Sequence, residues 1–259
     1  MKTCNDISPT VFQTSQFLSE YAVELFGSGC TCIRLDKNIR RIARSLGMDV
    51  EFSVLPRHLH ITVSKGEESS TAVVGIREMP ISFSRITDLS RLSWEIADGK
   101  VSFEEAKTLL PRIYNCKTFS QWQLVVLVSI ANASFCRLFN GDWFAMLSVF
   151  AATFIGFRLK QILSAKRFDF KLTIILCAFI SAVITALGGL TDIGQTPDVA
   201  VATSVLYLVP GIPFINSFCD FIDGHYLCAF GRLMHAIMIL CCLSIGLYVG
   251  MMLMHLGMF

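Results

Sequence analysis

Charge is distributed very unevenly along this chain. Of 22 Lys+Arg and 20 Asp+Glu in 259 residues, 15 and 14 fall within residues 1–118, leaving only 7 and 6 for the following 141. About a quarter of a water-soluble domain is charged, so the first part reads as globular and the second as material for a bilayer. The reading is therefore an α-helical membrane protein with a domain at 1–118 and a membrane domain at 119–259. A net charge of +2 without a basic stripe gives no reason to expect nucleic acid.

The second part contains five apolar stretches: Trp122 to Phe139, Trp143 to Ile162, Leu172 to Leu190, Val199 to Phe218 and Ala229 to Leu256. At a rise of ~1.5 Å per residue, ~20 residues cross the ~30 Å hydrocarbon layer. Five transmembrane helices are expected, which places the termini on opposite sides. Arg158, Lys160, Lys166, Arg167 and Lys171 follow the second stretch, Lys107, Arg112 and Lys117 precede the first, and Arg232 follows the fourth. Loops rich in Lys and Arg stay in the cytoplasm, whereas Asn140 to Asp142 and Thr191 to Asp198 hold none. The expectation is an N-terminus inside and a C-terminus outside, with Arg137 snorkelling to the interface.

Met1 to Ser15 are mixed and polar, without an apolar leader core, so the front domain is expected in the reducing cytosol. Cys136, Cys177, Cys219, Cys228, Cys241 and Cys242 lie in or beside apolar runs and read as small buried hydrophobes. Val11, Leu18, Ala22 and Leu25 predict a helix stopping at Gly27, and Leu35, Ile39, Ile42 and Leu46 predict a second. The period then shortens to two at Val50, Phe52 and Val54, at Leu59, Ile61 and Val63, and at Ala72, Val74 and Ile76. An antiparallel meander follows from that alternation. Two helices complete this α+β domain, one over Phe83 to Ala97, the other opened by the capping box Ser102-Phe103-Glu104-Glu105 and closed by Pro111.

Two prolines and a glycine occupy four positions of the fourth stretch, in Val209-Pro210-Gly211-Ile212-Pro213, followed by Asn216, Asp220, Asp223 and Gly224. Each proline removes a donor and clashes with the preceding turn, so the helix should break near Val209 to Pro213. Carbonyls freed inside a membrane need partners or a polar cavity. Asn216 and Asp220 are four apart and share a helical face. Pro210, Gly211, Pro213, Asn216 and Asp220 are thus a candidate substrate pathway, with Asp220 coupling flux to protons, and Arg232 is a further candidate that a family resemblance adds. The plainer reading is a bent packing helix whose Asp220 reaches water.

Other groups carry weaker signals. Cys30, Cys32, His58 and His60 lack the spacings of a zinc site, and the two histidines fit the exposed face of a strand. His235 reads as a wetted residue at the end of its span rather than a proton relay. Asn132, Ser134, Thr153, Ser181 and Thr185 either line a path or bond between helices. The helix face at Arg40, Arg41 and Arg44 suits solvent or an anionic surface. No phosphate loop, nucleophile elbow, metal set or cofactor motif stands out.

The segment Leu208-Val209-Pro210-Gly211-Ile212-Pro213, with Asn216, Asp220, Gly224 and Arg232, resembles the signature of the threonine/serine exporter family, ThrE. It is most similar to the family's split bacterial form, the YjjP-type subunit of a succinate exporter. Leu46-Gly47-Met48-Asp49, Gly99 to Ala106, Asn140-Gly141-Asp142-Trp143 and Thr196-Pro197 add to the likeness, while His58 and His60 depart from it. The resemblance implies a secondary exporter of small carboxylates or amino acids in the bacterial inner membrane, not an enzyme. It also implies a short five-helix membrane subunit as partner; five spans plus five make an inverted repeat. The alternatives are a membrane-anchored cytosolic enzyme or sensor domain, and a channel.

Overall fold

The computed structural model describes residues 9–55, 57–77, 79–115, 119–189 and 194–254. Two compact units emerge, one made of Met1–Thr118 with Ile212–Met234, the other of Phe119–Gly211 with His235–Phe259. Residues 212–234, read from the sequence as part of the membrane domain, thus group with the front residues.

In the first unit, α1 (Val11–Gly27) opens on a capping box between Thr10 and Gln13, and α2 (Cys32–Ser45) follows a short loop. Of the residues whose spacing predicts the two helices, Leu18, Ala22, Leu25, Leu35, Ile39 and Ile42 are fully buried and Val11 nearly so, whereas Leu46 caps α2 and is half-buried. Strands β1 (Asp49–Val54), β2 (His58–Lys65) and β3 (Glu68–Gly75) form the expected antiparallel meander in the order β1-β2-β3. Its register pairs Phe52 with Ile61 and Ile61 with Ala72, which brings the apolar positions onto one face. Leu59, Ile61 and Val63 are buried while His58 and His60 are exposed, as the alternation requires.

Helix α3 spans Phe83–Ala97 and α4 spans Phe103–Asn115. The Ser102/Glu105 capping box is present: Ser102 Oγ accepts from the Glu105 amide, and Glu105 Oε2 accepts from the Ser102 amide. Pro111 does not close α4, contrary to the sequence reading. A proline removes one backbone bond, and the packing of Ile113 and Tyr114 on the core rewards the extra turn. The unit is completed by α9 (Gly211–Ile222) and the first turns of α10 (Tyr226–Leu253).

The second unit holds α5 (Gln121–Leu138), α6 (Trp143–Ala165), α7 (Phe170–Gly189), α8 (Pro197–Ser204) and the remainder of α10. Small residues line its seams. A Cβ on Gly246 would strike the Ile175 carbonyl, and one on Gly250 would sit 2.7 Å from the Ala182 Cβ. Gly-x-x-x-Gly on α10 therefore lies against Ala178 and Ala182 of α7, the close approach by which helices gain dispersion energy in lipid.

Among the described residues, three helices are long and apolar enough to cross a membrane: α6, α7 and α10. The pair formed by Pro197–Leu208 and Gly211–Ile222 makes a fourth if it counts as one broken span. Five were expected. Helix α5 is not among them: Gln121, Gln123, Asn132 and Arg137 dilute its 18 residues. Its Arg137 donates to the Gly141 carbonyl at 3.1 Å, within its own C-terminal loop.

Candidate functional site

Helix α8 ends at Ser204, a single 3-10 turn covers Leu206–Leu208, and α9 starts at Gly211. The break falls at Val209 and Pro210, where proline chemistry places it. Pro213 then sits in the first turn of α9, where its missing N–H costs no helical bond. On the α8 side, the loose carbonyls find a donor. The amide of Asn132 donates to Thr203 O at 3.2 Å, and also to Thr153 Oγ1 at 2.6 Å. Ser181 and the Tyr207 hydroxyl meet at 3.0 Å. Ser134 and Thr185 bond to carbonyls of their own helices. Of the two readings of these polar residues, bonding between helices is the one observed for Asn132, Thr153 and Ser181.

Helix α9 has an inverted amphipathy. Ile215, Phe218, Phe221 and Ile222 are exposed, while Ser217 and Asp220 are buried. The polar face closes on the α1–α2 loop. Asp220, with no exposed surface, accepts from the Cys32 amide through Oδ1 at 2.7 Å and from Arg232 Nη1 through Oδ2 at 2.8 Å. Arg232 Nη2 donates to the Cys30 carbonyl at 2.7 Å, and the guanidinium lies 4.4 Å from the centre of the Phe26 ring. Asn216 Nδ2 donates to the Gly29 carbonyl at 2.7 Å, and Ser217 Oγ to the Ala229 carbonyl at 2.7 Å.

The loop is shaped to receive these groups. Gly29 has φ +94°, a left-handed conformation that glycine adopts without strain, and Ile81 closes the space where a Cβ would stand. Thr31, the N-cap of α2, makes no side-chain cap bond. Asp220 supplies the missing anion to the first amide of α2, from 188 residues away. Burial pushes the Cys30 thiol up to about 12, and a hydrogen bond with Cys228 together with burial raises that of Cys32.

The structure therefore brings Asn216, Asp220 and Arg232 together and leaves Pro210, Gly211 and Pro213 at the break. It does not assemble Cys30, Cys32, His58 and His60. Cys32 instead neighbours Cys228 and Asp220. Among the described cysteines, Cys136, Cys177, Cys228 and Cys242 are buried as expected, but Cys219 is half-buried and Cys241 is exposed. His235 is exposed and stacks on Phe170. Residues 191–193, part of the predicted second outer loop, lie outside the described residues.

A chain that holds, among the described residues, three helices long and apolar enough to cross a membrane, a helix pair interrupted at Val209 and Pro210, and an ion pair between Asp220 and Arg232 has the makings of a transport protein. Residues 16–254 match the family described as "Putative threonine/serine exporter", ThrE, and the chain belongs to that family of membrane exporters. It is 27% identical over 206 residues to the "Probable succinate transporter subunit YjjP" of Klebsiella aerogenes, covering 79% of this chain and 80% of that one. The protein of the same name from Escherichia coli K12 is 27% identical over 203 residues, 78% of this chain and 79% of the relative. A "Probable threonine/serine exporter" of Mycobacterium tuberculosis is 21% identical over 182 residues, 70% of this chain but 34% of that longer protein. No solved structure matches.

Proposed function

We propose that this chain is the long subunit of a secondary, proton-coupled exporter of small carboxylate-bearing metabolites, succinate-like dicarboxylates or threonine and serine. It works with a separate short five-helix membrane subunit in the bacterial inner membrane. The observation that carries the reading is the Asp220–Arg232 pair, held at 2.8 Å with Asp220 fully buried and Arg232 partly so. A guanidinium is the preferred partner of a carboxylate, and here one carboxylate of the protein already occupies it. A solute carboxylate that takes Arg232 leaves Asp220 without its cation, and a buried carboxylate without a cation takes up a proton. Solute on Arg232 and proton on Asp220 are then bound together and leave together, and this linkage is the coupling step. Asn216 positions the loop that bears the other Arg232 partner, the Cys30 carbonyl. Pro210, Gly211 and Pro213 give the interrupted backbone that lines the pathway.

Five crossings complete the reading, with α5 as the first. Its length, ~27 Å at the helical rise, is close to the hydrocarbon thickness. Its polar Asn132 is buried against protein rather than lipid. The Lys and Arg residues after α6 support a cytoplasmic position for that loop and the N-terminus.

Substrate-loaded vesicles carrying this chain and a short partner test the proposal. Arg232→Gln should abolish export of succinate, threonine and serine, and Asp220→Asn should leave residual flux that no longer follows the proton gradient. Parental, gradient-driven rates in both variants, at equal expression, would overturn it.

A further inference from the structure

Three donor groups that the export reading does not use as a set converge in the first unit. The Sγ atoms of Cys32 and Cys228 and a carboxylate oxygen of Asp220 lie within 4.8 Å of one another. All three residues are at least nine-tenths buried. Cys228 Sγ is 3.7 Å from Asp220 Oδ2. On a tetrahedral ion with Zn–S near ~2.3 Å and Zn–O near ~2.1 Å, neighbouring donors stand ~3.5–3.8 Å apart, a spacing that the Cys228–Asp220 pair already has.

We infer that Cys32, Cys228 and Asp220 form a binding site for one borderline-soft divalent cation of the Zn2+ class. Two sulfurs exclude the hard cations Mg2+ and Ca2+, which take oxygen ligands. Three protein ligands leave a fourth position for water.

Charge balance supports the assignment. Without metal, the carboxylate of Asp220 faces the guanidinium of Arg232. When M2+ enters, two thiol protons leave, and the site gains two positive charges and two negative ones. The buried net charge is unchanged, with Arg232 still compensating the third ligand. Asp220 also keeps its bond from the Cys32 amide through Oδ1, which fixes the carboxylate as an outer-shell donor does. This inference does not rest on the export reading, because it concerns binding in the absence of any solute.

The experiment uses the full chain, purified in detergent with reductant, stripped by a chelator and titrated with Co2+ as a spectroscopic probe. One Co2+ per chain is expected, with thiolate-to-cobalt charge transfer and the visible bands of a tetrahedral ion. Cys32→Ser and Cys228→Ser should each lose charge-transfer intensity and bind at least ~10-fold more weakly, while Cys241→Ser, altered at an exposed thiol, keeps both. Native mass spectrometry of the unaltered chain with Zn2+ gives a readout that needs no variant: one zinc added and two protons lost. The inference fails if the chain takes up no metal. It fails equally if Cys32→Ser and Cys228→Ser match the parent, or if the reduced preparation holds a Cys32–Cys228 disulfide.

Discussion

The polar side chains that hold backbone in the two units differ in kind. In the first unit, the paired side chains of Asp220 and Arg232 hold backbone groups of a loop. In the second, the neutral amide of Asn132 holds the carbonyl of a broken helix, and two hydroxyls meet at Ser181 and Tyr207. Both satisfy backbone that secondary structure leaves unpaired, yet only the first buries charge. A charged pair can exchange partners with an ionic solute, whereas an amide between helices mainly fixes their register. The contrast separates a group poised to act from groups that hold shape.

Substitutions at the two places should break this contrast or sharpen it. The largest loss is expected from Asp220→Ala, which strands Arg232 beneath the surface: ~3–5 kcal/mol, measured by thermal unfolding in detergent. Removing both partners in Asp220→Leu/Arg232→Met should recover only part of that loss. The Cys32 amide and the Cys30 carbonyl remain without their side-chain partners, at ~1–3 kcal/mol each. Full recovery would show that the ion pair, rather than its grip on the loop, is what matters. Asn132→Leu should cost ~1–3 kcal/mol in the same assay by orphaning Thr203 O, with the residual transport rate per folded molecule unchanged. Tyr207→Phe removes one hydrogen bond and should cost ~0.5–1.5 kcal/mol.

The smallest effect concerns acid. Asp142 caps α6, and the amides of Ala145 and then Gln195 hold its carboxyl below the usual range. A carboxylate with a lowered folded value stabilises above its ordinary pKa of ~3.9, and that contribution is lost as pH falls through the lower value. The Tm difference between the parent and Asp142→Asn should therefore shrink below about pH 4.

Much of this architecture is legible in local pattern. The 3.6-residue period of α1 and α2, the alternation at Leu59, Ile61 and Val63, and the prolines at the break each report a nearby physical constraint. Pro111 was misleading because a single lost backbone bond yields to packing by Ile113 and Tyr114. Five spans are expected where, among the described residues, three or four are long and apolar enough, since α5 trades hydrophobicity for buried polar contacts. Arg232 stood beside Asp220 among the candidate residues, but the partners of Asp220 in the α1–α2 loop were not legible. Cys30 and Cys32 announce nothing by spacing, and no periodic signal links them to Cys228 or to a carboxylate in another apolar run. One sign was available: polar Asn216 and Asp220 on one side of an otherwise apolar helix, which must face protein in a membrane.

The long interval between Cys32 and Asp220 has a consequence for biogenesis. The leading amide of α2 waits for a counter-anion that emerges 188 residues later. At ~5–20 residues per second, the ribosome leaves that helix uncapped for ~9–40 s. The amino-terminal portion thus finishes its assembly only after most of the membrane segments have been synthesised, and a chain truncated at residue 118 would never acquire its final clasp.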